Sequence, residues 1–516
     1  MLALLTQHAD QSMHYKLLNS RLREKNALWE PFQEALENVG EAEYMRLSEL
    51  IVEKSISELQ ESVNSGDLSY EELVTFYIYR IRKMESDDGR FINGVISLNP
   101  AAIERARQLD EIQLKSEGRN KNSIFGIPVL LKDNIGFAGI PTTAGAAALI
   151  ENHTTNAFIT DRLVEQGAIV LGKANLSEWA YFFCRDCPSG YSAVGGQTLN
   201  PYGRLDFGTG GSSSGSGASI AANYAAVAVG SETSGSILSP SSANSLVGLK
   251  PTTGSLSRSG VVPISSTLDT VGPMGRSVAD VVTLFNAMVG FDGEDPAMPR
   301  LSEDLRLTIR QAPTDNGTFG ILTTYADNMQ YQNALRLLSE NGFNLQEVDF
   351  QNERHPRFSE FLGAEMKRDL VSYLQKHASA SVEIDSVSTL QEFNSLDPEM
   401  RAPYGQALVD LMVDLNLSEE ELEDLGAELR AWGQTLLDRL FAESGIDILL
   451  GVNNHQASIA ALANYPALTL PMGYESDGRP VGLTLIAPSF QEQLLVDVGL
   501  NIEKILAARK APANYP

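Results

Sequence analysis

Three stretches of this 516-residue chain bring together residue types that can do nucleophilic chemistry. Residues 207–219 read FGTGGSSSGSGAS, with Ser212 and Ser213 directly after the Gly210–Gly211 pair. Residues 230–240 read GSETSGSILSP and carry Ser236 behind a second Gly/Ser turn. Residues 126–134 read GIPVLLKDN and put Lys132 at the end of an apolar run. Serine is a poor nucleophile until a base takes its proton. A lysine can be that base only when neutral, so its pKa must fall from about 10.4 toward ~7–8. Burial at a strand end disfavours the charged form and lowers the pKa in this direction.

Other chemistries fit the Gly/Ser stretch less well. A flexible linker would not lead straight into an apolar helix. A phosphate loop needs a lysine beside its last glycine, and a dinucleotide turn needs glycine where Ser213 stands. GSSSG, residues 211–215, satisfies the hydrolase elbow G-x-S-x-G with Ser213 at its centre. No apolar strand directly precedes it, and the later histidines His355, His377 and His455 stand in no recognisable base setting. Cys184 and Cys187 form the single C-x-x-C. Zinc would want a second pair, so these read as incidental loop thiols.

The elements that must hold these residues alternate between strand and helix. SISELQESVNSGDLSYEELVTFYIYRIRKME, from Ser55, predicts two helices, with Ser69 and Glu72 spaced as a capping box. The run FGIPVLLKDNI predicts a buried strand turning at its end, and DRLVEQGAIVLGKAN a helix followed by a strand. A buried helix is predicted from about Ser216 to Val229, then strand and helix over SLVGLKPT and TVGPMGRSVADVVTLFNAM. The pattern indicates an α/β fold, a large mixed twisted sheet covered by helices on both faces. Residues 1–50 predict a helical extension. Within residues 51–516, positions 300–445 turn acidic and mostly helical and predict an insertion that shapes the substrate pocket, after which strands return to complete the sheet.

Composition narrows the function. With 66 acidic against 39 basic residues, the net charge is −27. That excludes a basic nucleic-acid groove and disfavours docking on anionic lipid. No stretch approaches the ~20 apolar residues of a membrane span. The start lacks a cationic leader pattern, so a cytoplasmic location is the expectation.

The stretches GIPVLLKDN, GAIVLGKANLSEW, GGSSSGSGASIAAN, GSETSGSILSP, LVGLKPTTGSLSRSGVVP, LDTVGPMGRSVAD, YPALTLPMGY and GRPVGLTLIAP occur in this order. Together they resemble the amidase signature family, from about Ser55 to the last helix. LLKDN, NLSEWA, GGQTLNPYG and GSIL-P are most similar to its bacterial peptide amidases. The resemblance implies the amidase signature fold and amide hydrolysis by a Ser–cis-Ser–Lys triad, without metal or organic cofactor. It makes Lys132 the base, Ser212 the relay and Ser236, 24 positions on, the nucleophile. It places a cis peptide at Gly211–Ser212, with Gly210, Gly211 and Ser213 as the supporting loop. It assigns the oxyanion hole to the backbone N–H groups of Thr233, Ser234 and Gly235.

Two positions depart from the family pattern. Leu238 stands where most members have Arg, and Ser234 where Gly or Asp is usual. The expected partner is a small-molecule or peptide amide, with a homodimer left open. The same motifs also fit the glutaminase subunit of a tRNA-dependent amidotransferase, or a non-catalytic ligand-binding protein on the same fold.

Overall fold

The computed structural model describes residues 8–115, 123–298, 305–310, 317–350 and 353–516. Helices α1 (Glu41–Ile51), α2 (Ile56–Ser65) and α3 (Tyr70–Glu85) lead into the sheet. Both predicted helices after Ser55 form, and Ser55 with Glu58 and Ser69 with Glu72 close full capping boxes. Each satisfies backbone donors that a helix start leaves open.

The strands are β1 (Val95–Leu98), β2 (Pro128–Lys132), β3 (Ile169–Ala174), the small hairpin β4 (Tyr191–Ser192) and β5 (Gly196–Gln197), β6 (Val227–Glu232), β7 (Val247–Lys250) and β8 (Thr270–Gly275). Then come β9 (Thr318–Leu322), β10 (Asn344–Val348), β11 (Ile448–Val452), β12 (Ala467–Tyr474) and β13 (Pro480–Ile486). Eleven of them form one mixed sheet in the order β1-β3-β2-β6-β8-β7-β12-β13-β11-β9-β10. Strand β2 runs parallel to both β3 and β6 at the interior of this sheet. Its residues are buried throughout, as a parallel strand covered on both faces requires. The late strands join the same sheet, as expected.

Three expectations need correction. The helix predicted over Ser216–Val229 is two elements: α4 (Ser214–Ala221) and then β6. Asn223 takes a left-handed φ of +58° and ends the helical path, and the branched Val227 and Val229 pair into the sheet. The N-terminal region is helical only in part, with short 3₁₀ turns before Gln33–Glu37 and α1. Between them the chain bonds outward: Lys16 N donates to Tyr404 Oη at 2.7 Å and Ser20 Oγ to the Ala193 carbonyl at 2.7 Å. Within residues 300–445, β9 and β10 extend the sheet edge, parallel to each other and to β11.

Most of the other described residues of that region are helical, including α6 (Phe358–Lys376) and α7 (Glu419–Ser444), with α5 (Leu238–Ala243) before it and α8 (Ala457–Ala463) after it. Phe361, Met366, Leu370 and Tyr373 of α6 pack with Trp179 and Phe183 in a second apolar cluster beside the sheet. Cys184 and Cys187 belong to this cluster and are joined as a disulfide, with Cα atoms 5.6 Å apart, so they are not free thiols.

Candidate active site

Lys132 is the last residue of β2 and is fully buried. Its Nζ donates to Ser212 Oγ at 2.6 Å, to Ser231 Oγ at 2.9 Å and to the Ser231 carbonyl at 3.1 Å. These partners are neutral oxygens. Burial pushes the Lys132 amine down to about 7, against smaller opposing pulls from the Asp269 and Glu232 carboxylates. A neutral amine is therefore accessible near neutral pH, which a base requires.

Ser212 and Ser236 arrive on two turns that touch. Ser212 N donates to Ser236 Oγ at 3.2 Å, and Ser213 N to the Ser236 carbonyl at 3.2 Å. The approach explains the first glycine pair. A Cβ on Gly211 would stand 2.6 Å from Pro240 Cδ and 3.0 Å from Ser236 Cα, and one on Gly210 2.6 Å from the Ser239 carbonyl oxygen. Both glycines also take left-handed φ values, +72° and +43°. Here the structure departs from the expected cis peptide: among the described residues no peptide bond is cis. The two left-handed glycines turn the chain onto Ser212, and the Gly211 carbonyl is held by Ser189 Oγ at 2.8 Å and Ser177 Oγ at 3.2 Å.

Ser213, centre of the elbow-like GSSSG, has its hydroxyl committed elsewhere. It donates to the Ser231 carbonyl at 3.0 Å and accepts from Ser231 N at 3.2 Å. It braces β6 and is fully buried, whereas Ser236 is partly exposed.

The backbone N–H groups of Thr233, Ser234 and Gly235 donate to no other described residue. Ser234 Oγ lies 2.9 Å from Ser458 Oγ on α8, and Gly235 lies against Asn454. Leu238, in the place of the usual Arg, is buried in an apolar cluster with Leu449, Ile459 and Ala460. An arginine there would need partners that this surrounding does not offer.

Several site residues were not singled out in the sequence. Ser231 receives Lys132, and Asn134 Nδ2 donates to Ser231 Oγ at 3.0 Å. Glu232 Oε2 accepts the Ile237 and Leu238 N–H groups at 2.6 and 3.0 Å and so fixes the chain after Ser236. Asp269 takes the Thr233 hydroxyl. A signal existed for Glu232 and Asp269, since each is an acid bordering an apolar strand, but their partners come from other segments. A cavity of about 220 Å³ adjoins the site, with Asn134, Ser231, Thr233, Val262, Asp269 and Tyr373 among its walls. Ser236 is not a wall residue; the cavity borders the turn before it.

The Amidase family model matches residues 72–432. The chain belongs to the amidase signature family. A probable amidase of Arabidopsis thaliana is 32% identical over 503 residues, covering 93% of this amidase and 96% of the plant protein. The crystal structure of an amidase family protein from Bacillus anthracis superposes with a TM-score of 0.89 at 33% identity, over 96% of this chain and 99% of that one. The native peptide amidase from Stenotrophomonas maltophilia gives 0.83 at 34% identity, over 89% and 98%. The expected fold is thus the observed one, and the protein is an amide-hydrolysing enzyme. No helix among the described residues is long and apolar enough to cross a membrane.

Proposed function

We propose that this amidase hydrolyses a carboxylic amide or a peptide C-terminal amide to the acid and ammonia or an amine, through an acyl-enzyme on Ser236. One observation carries the reading: Lys132 is buried among neutral oxygens, 2.6 Å from the hydroxyl of Ser212, whose N–H bonds Ser236 Oγ. Ser236 Oγ attacks the carbonyl carbon. Its proton passes to Ser212 Oγ as the Ser212 proton passes to Lys132 Nζ. The oxyanion is met by the N–H groups of Thr233, Ser234 and Gly235. Donors of this kind are worth about 10²–10³ in rate each in other hydrolases. On collapse the C–N bond breaks, and the leaving nitrogen takes the proton back from Lys132 through Ser212. Water then attacks the ester by the same proton path and frees Ser236.

The likeness to the Stenotrophomonas peptide amidase supports amidated peptides as the first substrates to try. Ser234 limits how far that likeness extends. It offers a hydroxyl already engaged by Ser458, with no charge for a cationic substrate group. The test is covalent labelling with an alkyl fluorophosphonate, beside a screen of amidated peptides against simple aliphatic and aryl amides. Ser236 should carry the adduct, and Ser236→Ala should lose both labelling and hydrolysis while keeping its Tm. Wild-type labelling at Ser213, or full activity in Ser236→Ala, would sink the assignment.

A further inference from the structure

Thr233 is one of the three oxyanion donors in the proposed reaction, and its side chain is fastened. Its hydroxyl donates to one Asp269 carboxylate oxygen. The other Asp269 oxygen accepts Ile264 N at 2.8 Å and Ser265 N at 2.9 Å. Asp269 thus ties the Thr233 hydroxyl to the Ile264 and Ser265 N–H groups at the border of the cavity. The segment it gathers, residues 264–269, is fastened at its other side to α6. Ser265 and Thr267 hydroxyls donate to Glu365, and Ser266 N donates to Asp369 at 2.6 Å. Arg368 closes this contact, bonding Ser266 Oγ at 2.6 Å, Glu365 at 2.9 Å and Asp369 at 2.7 Å. A continuous run of hydrogen bonds therefore joins α6, which walls the adjoining cavity with Tyr373, to the turn that holds Thr233.

We propose that Asp269 is a positioning residue for this reaction: it sets the Thr233 N–H through the threonine hydroxyl and sustains the charge balance at Lys132. The inference rests on the reading of Ser236 as nucleophile. The charged groups around Lys132 are the carboxylates of Glu232, from β6, and Asp269, from the segment before β8. Glu232 is committed to the Ile237 and Leu238 N–H groups. The Asp269 carboxylate acts on Lys132 electrostatically and is itself acted on by the Arg258 guanidinium, which is paired with Asp295 at 2.6 Å. The Asp269 carboxylate favours protonated Lys132. Removing that charge while keeping the shape must make the lysine easier to deprotonate.

The experiment uses the full chain and the second-order rate of labelling by an alkyl fluorophosphonate as a function of pH. Ser236 Oγ bonds phosphorus and fluoride leaves, so the rate depends on both the base and the oxyanion donors. Asp269→Asn should label about ten- to a hundredfold more slowly, the size of effect expected from a small misplacement. Its acid limb should move to lower pH. Thr233→Val should slow labelling without moving the limb, and Thr233→Ser should recover the rate. A folded Asp269→Asn that labels at the wild-type rate, or whose limb stays in place, overturns the proposal. Should that variant not fold, Thr233→Val decides, and a wild-type rate there overturns it. Wild type that never labels overturns the nucleophile assignment as well; labelled wild type with unaffected variants overturns this inference alone.

Discussion

Lys132 and Lys173 are two fully buried lysines on adjacent strands, and they differ in what surrounds the amine. The register pairs Leu131 with Lys173 and Lys132 with Ala174, so the two side chains leave opposite faces of the sheet. Lys173 Nζ sits 3.4 Å from Asp133 Oδ1 and bonds the Ile135 carbonyl at 2.6 Å and Thr142 Oγ1 at 2.9 Å. Asp133 in turn holds Thr143 and the Gly145 N–H. Among the described residues, Lys132 bonds Ser212 and Ser231. Desolvation lowers both amines, but only Lys173 has a paired carboxylate supporting its charge directly. A buried lysine with a carboxylate partner ties loops together; one among hydroxyls is poised to exchange a proton.

The sharpest way to break this contrast is to remove each amine in turn. Lys132→Met should cut kcat/KM by at least about 10³-fold, as loss of a base acting in a unit does. The same variant should fold with a Tm at or above wild type near neutral pH. The sign follows from linkage: the amine titrates near 7 in the fold and near 10.5 when exposed, so between them the unfolded chain binds more protons. The burden of Lys132 on stability is greatest below pH 7 and fades as pH rises toward 10.5. The stabilising effect of Lys132→Met should fade with it, as chemical denaturation at several pH values would show.

Lys173→Met should do the reverse. Leaving Asp133 buried and uncompensated costs about 3–5 kcal/mol, read as a lowered denaturation midpoint. Adding Asp133→Asn should recover part of the loss. Equal stability in Lys173→Met and wild type would end the comparison.

Activity against pH gives a milder test. The rate should climb through about pH 7 as Lys132 loses its proton, and a limb far above that value would mean that the amine is held charged. The smallest effect belongs to Ser213→Ala. Its hydroxyl bridges the Ser231 N–H and carbonyl, so its loss should cost roughly 1–3 kcal/mol of stability and less than tenfold in rate.

Much of the fold was legible because local rules and packing agree. The capping box at Ser69 starts a helix because the following residues are amphipathic, and PVLLK reads as a covered parallel strand. The Ala-rich run after Ser216 misled because alanine favours helix, whereas the chain bends at Asn223 and the sheet takes Val227–Glu232. The region after residue 300 read as helical because its two edge strands are short beside long acidic helices.

By itself the sequence determined the chemical cast: a lysine closing an apolar strand, serines on two glycine turns, and the ordered motifs around them. Those are local facts of residue type and spacing. Tertiary structure alone decided which hydroxyl faces which partner. Ser213 and Ser212 are neighbours in the chain, yet one braces Ser231 and the other meets Lys132. Asp269 reaches Thr233 across 36 positions, and Glu365 reaches Ser265 across 100. Contacts at such separations are set by how the sheet and α6 pack, and no period or spacing along the chain encodes them.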